Sequence, residues 1–498
     1  MTLPETPQTS PDREAAAAEL DLDPKDWVAL RAQAHRMLDD MLTHLQTIGE
    51  QPIWQAMPHE ALERLEEPLP ADPQGLERAY ADYLRLIQPY TVFNKHPRFW
   101  GWVIGTGTVD GMLAGMLSAG LNLNAGGHNL GGTYAELRAL EWCKQLFGFP
   151  RSASAVLVTG GSVANLVALT VARDAALGTA AEQGLQASGI RLAFYGSTET
   201  HNSVPKSLRM IGLGAAGWRP IRVDVDFRLD LQALTDQITR DRVEGIRPAC
   251  VVANAGTVNT GAIDDLVGLV EICKRERLWL HVDGAFGAIA ALSPSLRDLV
   301  KGMEQADSLA FDLHKWLHIP YDAGCVLVRD ADAHRAPFLQ SGSYLTRMDQ
   351  GPAAMPVLFS DYAPELSRSF RGLKVWMAFK THGTAIYGRL AEQNVAQARY
   401  LAGLITAEPE LELLAPVPLN IVCFRYRGHG AAGPDRLNEL NRRLLIRIQT
   451  EGIAVPSHTM LDGQFAIRVA ITNHRSRRAD FKALVEAVLL LGRAAETE

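Results

Sequence analysis

Between residues 154 and 330, short apolar runs recur near positions 155, 191, 219, 249, 278, 308 and 324, separated by stretches with helical spacing such as Leu266 to Arg275. This alternation of strand and helix predicts an α/β fold: a mainly parallel central sheet covered by helices, with ligands bound at the carboxyl ends of the strands. Upstream, Leu30, Met37, Leu38, Met41, Leu42 and Leu45 recur at the spacing of one helix face, so an amphipathic helix is expected from Trp27. A Pro-rich passage from Pro52 to Pro73 follows, then a helical stretch to about Ile87. Downstream, a stretch containing Gly, Ser and Pro from Ser341 to about Pro364 reads as a long loop of the kind that closes over active sites. The remainder predicts a long helix from about Arg368 to Ala396 and a smaller α+β domain with strands at Leu419 to Tyr426 and Phe465 to Ile471. The chain therefore divides into a tail expected to be mobile (1–22), an N-terminal helical segment (23–90), a large domain (91–385) and a small C-terminal domain (386–498).

The residues at the ends of these predicted strands carry the candidate chemistry. Val156-Leu157-Val158 runs into Thr159-Gly160-Gly161-Ser162 and then a helical pattern. Glycines let a backbone approach an anion, and the free N–H groups of a helix start bind phosphate, so Gly160, Gly161 and Ser162 form a candidate phosphate cradle. Both the third glycine of a dinucleotide fingerprint and the Gly-Lys-Ser/Thr of a nucleotide P-loop are missing. His281-Val282-Asp283-Gly284-Ala285 ends a strand in a carboxylate that can pair with a protonated ring nitrogen, and Ala285 is small enough to let a flat ring lie against the backbone. His201 stands at a strand-to-helix junction, where an imidazole can stack on such a ring and move protons. Lys315, in Ala310-Phe311-Asp312-Leu313-His314-Lys315-Trp316, follows an apolar run. An ammonium is costly there and readily gives up its proton to become a nucleophilic amine. Taken singly, each has a plain structural alternative: a local-geometry Gly-Gly-Ser, a strand-end aspartate, a helix-start histidine, a surface lysine.

Composition narrows the partners. A chain of 498 residues with 47% hydrophobic and 21% charged content is long enough for two or three globular domains. Its net charge of −7 argues against nucleic acid or an anionic membrane as partner. With no 18-residue apolar run and no basic and apolar leader, a cytoplasmic protein is expected. Cys143, Cys250, Cys273, Cys325 and Cys423 are scattered, without Cys-x-x-Cys spacing or histidines at zinc-ligand intervals; they read as reduced core thiols, and no metal is expected.

In this order and at these intervals, the stretches around residues 160, 201, 283 and 315 resemble the group II pyridoxal phosphate-dependent amino acid decarboxylases, especially the aromatic L-amino acid decarboxylases. The resemblance runs from about Trp27 to the C-terminal region. Its most specific parts are His314-Lys315-Trp316, His281-Val282-Asp283 and Ser369-Phe370-Arg371-Gly372-Leu373-Lys374-Val375-Trp376. It implies the fold type I architecture of pyridoxal phosphate enzymes, a homodimer whose N-terminal helical layer wraps the partner subunit, and an L-amino acid substrate converted to amine and carbon dioxide. It also implies that Lys315 bonds the cofactor, Asp283 pairs with the ring nitrogen, His201 stacks on the ring, Thr257 lies beside it and His314 lines the site. Asp312 stands where some relatives carry an asparagine near the phosphate; an acid there is unfavourable unless it is protonated or turned away.

On the substrate side, Trp102 matches the family's aromatic segment. Tyr344 matches the loop tyrosine that returns a proton to the substrate α-carbon; phenylalanine there goes with aldehyde formation, so Tyr344 favours simple decarboxylation. Within residues 121–133, Asn124, Gly126 and His128 stand where aromatic-specific relatives carry apolar or aromatic residues, a departure that suits a more polar side chain or a hydroxylated ring. The expected substrate is Trp, Tyr, Phe or dihydroxyphenylalanine. The alternatives are an aldehyde-forming oxidative decarboxylase, a decarboxylase of a more polar amino acid, a carbon–carbon lyase and a catalytically silent cofactor-binding homologue. Arg468 is expected to serve structure, because carbon dioxide loss is helped by a poorly solvated carboxylate more than by a strongly paired one.

Overall fold

The computed structural model describes residues 21–339, 342, 347–428 and 433–496. A two-residue strand, β1 (Phe99–Trp100), precedes the large sheet. That sheet is built from β2 (Ser154–Val158), β3 (Leu192–Ser197), β4 (Trp218–Ile221), β5 (Arg247–Asn254), β6 (Trp279–Asp283), β7 (Ser308–Asp312) and β8 (Gly324–Val328). Their spatial order is β2-β8-β7-β6-β5-β3-β4. The run from β7 to β4 is parallel throughout, while β8 lies antiparallel to both β7 and β2. The central strands are nearly continuous apolar runs because helices cover both faces: Val251, Val252, Ala253, Leu309 and Ala310 are all fully buried. Val158, Ser197, Asn254, Asp283 and Asp312 consequently end their strands at one edge of the sheet, where Gly324 begins β8.

The C-terminal unit is a second sheet, with β9 (Leu411–Leu413), β10 (Ile421–Tyr426), β11 (Val455–Leu461) and β12 (Gln464–Ala470) in the order β1-β11-β12-β10-β9. β1 therefore leaves the segment that the sequence assigns to the large domain and pairs in parallel with β11, Phe99 opposite Val455. Trp100 is fully buried there, stacked on Phe481 at 4.8 Å, with its indole N–H donating to Ser476 Oγ at 3.0 Å. The long helix expected from Arg368 to Ala396 is two helices, Arg371–His382 and Ala385–Ala407. Gly383 separates them with φ +67°, a conformation that glycine adopts at little cost.

The N-terminal helix Trp27–Gln46 is capped by Asp26, whose carboxylate accepts from the N–H groups of Val28 and Ala29. Leu45 is its one buried residue, and Trp27 remains 61% exposed. All five cysteines are buried and unpaired. Among the described residues, no helix is long and apolar enough to cross a membrane.

Candidate active site

The carboxyl edge of the large sheet opens into a cavity of about 450 Å³. Thr159, Gly160, Gly161 and Ser162 line it from the turn after β2, and His201 from the junction after β3. Gly256 and Val258 follow β5, Asp283 and Ala285 lie at the end of β6, and Asp312, His314 and Lys315 lie at the end of β7. Trp102 completes the wall from outside the sheet.

Asp283 is held by two donors. Its Oδ1 accepts from the Ala285 N–H at 3.1 Å, and its Oδ2 accepts from Asn165 Nδ2 at 2.8 Å. The same amide group donates to Ser203 Oγ at 3.0 Å, while Asn165 Oδ1 lies 2.9 Å from His281 Nε2. An amide oxygen only accepts, so the His281 proton sits on Nε2, and Nδ1 accepts from the Ser308 hydroxyl at 2.9 Å. Ser308 in turn accepts from the Trp279 indole N–H at 2.8 Å. Burial pushes the His281 pKa down to about 4 against the opposing pull of the Asp283 carboxylate, so the ring stays neutral.

His201 is oriented by its own helix start: Nδ1 accepts from the Ser203 N–H at 3.2 Å, leaving the neutral ring's proton on Nε2. Burial lowers its pKa, with Asp283 opposing. His314 is fixed similarly, with Nδ1 accepting from the Ala323 N–H at 3.1 Å and its ring 4.2 Å from that of Tyr321. Burial again lowers its pKa. Lys315 Nζ lies 2.9 Å from Asp312 Oδ2. The other carboxylate oxygen, Asp312 Oδ1, is buried without a hydrogen-bond partner. A Cβ on Gly161 would stand 2.9 Å from Asp312 Oδ2, and one on Gly324 would stand 2.5 Å from Gly160 Cα. Glycine at these positions is what lets the β2 turn close onto the end of β7.

This donor set fits pyridoxal phosphate. A buried carboxylate with two fixed donors suits a protonated ring nitrogen. The first N–H groups of the 17-residue helix Gly161–Leu177, which have no intrahelical acceptor, suit the phosphate. Lys315 supplies the amine. The pyridoxal-dependent decarboxylase conserved domain matches residues 58–427 of the sequence. The chain belongs to that family. An aromatic-L-amino-acid decarboxylase of Bacillus atrophaeus is 34% identical over 92% of this chain and 96% of its own length. A phenylacetaldehyde synthase of Arabidopsis thaliana is 28% identical over 90% of this chain and 93% of its own. Among solved structures, Catharanthus roseus tryptophan decarboxylase in complex with L-tryptophan superposes with a TM-score of 0.84 at 24% identity, covering 95% of this chain and all of that one. The fold is that of the type I pyridoxal phosphate enzymes, and the protein is a pyridoxal phosphate-dependent carboxy-lyase acting on an amino acid.

Within this decarboxylase, several residues singled out in the sequence are not among the described residues that line the cavity. Thr257 is buried beneath it: its hydroxyl bonds Thr260 Oγ1 and accepts from the Ala262 N–H, at 3.1 Å each, so it braces a turn while Gly256 and Val258 line the wall. Asn124 accepts from the Arg368 N–H at 2.9 Å, as part of a bracket in which the Arg368 guanidinium bonds Ala125 O, Leu157 O and Glu136. His128 stays on the same loop, outside the lining residues. Tyr344 lies outside the described residues. Arg468 directs its guanidinium at the backbone carbonyls of Trp102, Val258 and Asn259, tying the two cavity walls that carry Trp102 and Val258 to β12. Asn165 and Ser203 are the functional positions that pattern reading passed over. The available signal was a single asparagine in the otherwise apolar run Val163-Ala164-Asn165-Leu166-Val167-Ala168.

Proposed function

We propose that this decarboxylase converts an aromatic L-amino acid to its amine and carbon dioxide, and that it works as a homodimer. The observation that carries the substrate class is the cavity wall itself. Trp102 presents an indole backed by Phe93 and Phe99, with centroids 6.0 and 6.3 Å away. Lys315 is the single lysine or arginine among the described lining residues, so an acidic side chain would find no cation there beyond the one that bonds the cofactor. The likeness to the Bacillus atrophaeus aromatic-L-amino-acid decarboxylase supports the same reading.

Bound pyridoxal phosphate supplies the electron sink for the bond that breaks at the substrate α-carbon. The chain supplies everything that steers it. Asp283, locked by Asn165 and the Ala285 N–H, would hold the proton on the ring nitrogen. Asp312, 2.9 Å from Lys315 Nζ, would be the counter-charge to the Lys315 ammonium, and His201 Nε2–H and the Tyr344 hydroxyl would be the groups that hand a proton to the α-carbon. The dimer accounts for the exposed apolar surface: Trp27 and Val28 on the N-terminal helix, and Met116, Leu117 and Leu121 on the helix Val109–Leu121. Asn124 and His128, which do not line the cavity of their own chain, would then contact substrate only from a second copy.

The deciding experiment incubates the holoenzyme with aromatic, acidic and basic L-amino acids and follows amine, carbon dioxide, aldehyde and peroxide by mass spectrometry and coupled assay. Amine with stoichiometric carbon dioxide from an aromatic substrate is expected. Turnover of acidic or basic substrates alone would overturn the substrate class, and aldehyde with peroxide would make the enzyme an oxidative relative.

A further inference from the structure

On the far side of the turn that carries Lys315, basic side chains from three separate parts of the chain converge on Gly107 without a carboxylate among them. Lys95 Nζ lies 3.6 Å from the position a Cβ on Gly107 would take. His474 Nε2 lies 3.4 Å from Gly107 O, and its ring meets that of His318 edge-on at 4.9 Å. Arg475 follows directly on His474. Lys95 and Arg475 are both half-buried, and among the described residues neither has an ion-pair partner. Two further atoms are orphaned: Arg475 Nη1 and His318 Nε2 are buried with no hydrogen-bond partner, and the His318 side chain is almost wholly withdrawn from solvent.

Withdrawing cations from water is costly unless a counter-charge accompanies them, and native chains pair them almost without exception. Here the strain shows in every member. Burial lowers the Lys95 pKa and Arg475 lowers it further; burial and Arg475 together push His474 down to about 4; His318 falls well below the usual imidazole range for the same reasons, with His474 adding to them. Each of these perturbing charges is positive. None of the four residues lines the cavity, so the cluster is also distinct from the candidate phosphate cradle at residues 159–162.

We propose that Lys95, His318 and Arg475 bind a small free oxyanion of the phosphate or sulfate class, at a second anion site next to the cofactor pocket, with His474 as a neutral wall whose Nε2–H is turned to Gly107 O. Lys95 and Arg475 supply charge and several N–H donors. The Thr106 hydroxyl lies 3.2 Å from Gly107 O and 3.3 Å from His318 Nδ1; when its one proton goes to that nitrogen instead of the carbonyl, Nε2–H of His318 becomes a further donor. Such a set suits the three or four oxygens of a tetrahedral oxyanion better than the two of a carboxylate. Occupancy also bears on the active site. The His318 N–H donates to Lys315 O at 3.2 Å within the same turn, and a Cβ on Gly105 would stand 1.9 Å from His314 O, so the 104–107 segment and the lysine turn are packed backbone to backbone. An anion that joins Lys95, His318 and Arg475 stiffens that turn from behind.

The test uses holoenzyme saturated with pyridoxal phosphate, so that the cofactor cradle is filled. Sulfate and inorganic phosphate are titrated in a zwitterionic buffer at constant ionic strength, followed by calorimetry and by thermal unfolding. Saturable binding of one anion per chain is expected, with a rise in Tm along the same curve. Lys95→Met and Arg475→Met should each weaken binding at least tenfold while the cofactor's absorbance is retained, and Lys95→Arg should keep it. Because an unpaired cation is removed, Lys95→Met should also unfold no earlier than wild type in anion-free buffer. Absence of saturable binding to wild type would overturn the proposal, as would equal binding by the methionine variants. A dimer structure with a carboxylate of a second copy seated on Arg475 would overturn it as well.

Discussion

Replacing Asn165 by leucine tests whether the buried relay behind Asp283 holds the cofactor's acid in place. Leucine keeps asparagine's branched side chain of the same heavy-atom count, so no cavity is left and the cost falls chiefly on hydrogen bonds. The bond to the Asp283 carboxylate is charge-assisted, worth about 1.5–3 kcal/mol, and the His281 Nε2–H left buried without an acceptor costs about 1–3 kcal/mol more. The sum is about 2.5–6 kcal/mol. Unfolding entropy of about 2.1 cal/mol/K per residue over 498 residues is about 1 kcal/mol/K, so Tm should fall by about 2.5–6 °C. The freed carboxylate keeps the Ala285 N–H as its one remaining donor, and each 1.4 kcal/mol of orientation lost from the holoenzyme weakens cofactor binding about tenfold. Scanning calorimetry of apo and holo forms, with cofactor release followed by absorbance, measures both quantities. A Tm within about 1 °C of wild type together with unchanged cofactor release would refute the relay.

Lys315→Ala should abolish turnover and the visible absorbance band of the bound cofactor; retention of either would remove this lysine from the centre of the site. Tyr344→Phe should divert product from amine to aldehyde, and an unchanged ratio by mass spectrometry would remove its role as proton donor. Acid should destabilise the protein through its buried histidines. Burial holds His281 and His334 at about 4, below the unfolded value of about 6.5, so the unfolded chain takes up their protons first. Stability is then complete above pH 6.5 and falls by about 2.7 kcal/mol per pH unit toward pH 4 from these two groups alone. A flat Tm between pH 6.5 and 5 would contradict this.

How much of this could be read from the sequence depended on whether the signal was local. The strands β3, β5, β6 and β7 each announce themselves as an apolar run ending in a small or polar residue, Ser197, Asn254, Asp283 and Asp312, and the cavity sits where those runs end. Lys315, Asp283, His201 and the Gly160-Gly161-Ser162 turn come together there because strand ends at one edge must. Asn165 was not legible, because its partners Asp283, Ser203 and His281 are 118, 38 and 116 residues away in the chain. Gly383 hid inside what read as one helix, since only its backbone angle divides it. Thr257 and Asn124 are the reverse case: both are polar residues on turns near glycines, and within one chain Thr257 accepts from the Ala262 N–H and Asn124 from the Arg368 N–H, bonds that a local pattern does not reveal.

The small strand Phe99–Trp100 bears on the order in which the protein can be made. Its partner β11 starts at Val455, so the edge of the C-terminal sheet is supplied by a segment that leaves the ribosome some 355 residues earlier. During synthesis the large sheet can form while Phe99 and Trp100, both destined for burial, still wait for Val455 and Phe481. The two sheets are thus stitched by chain threading as well as by contact. A C-terminal fragment expressed alone would present an open β11 edge and an unfilled slot where Trp100 belongs, an invitation to self-association.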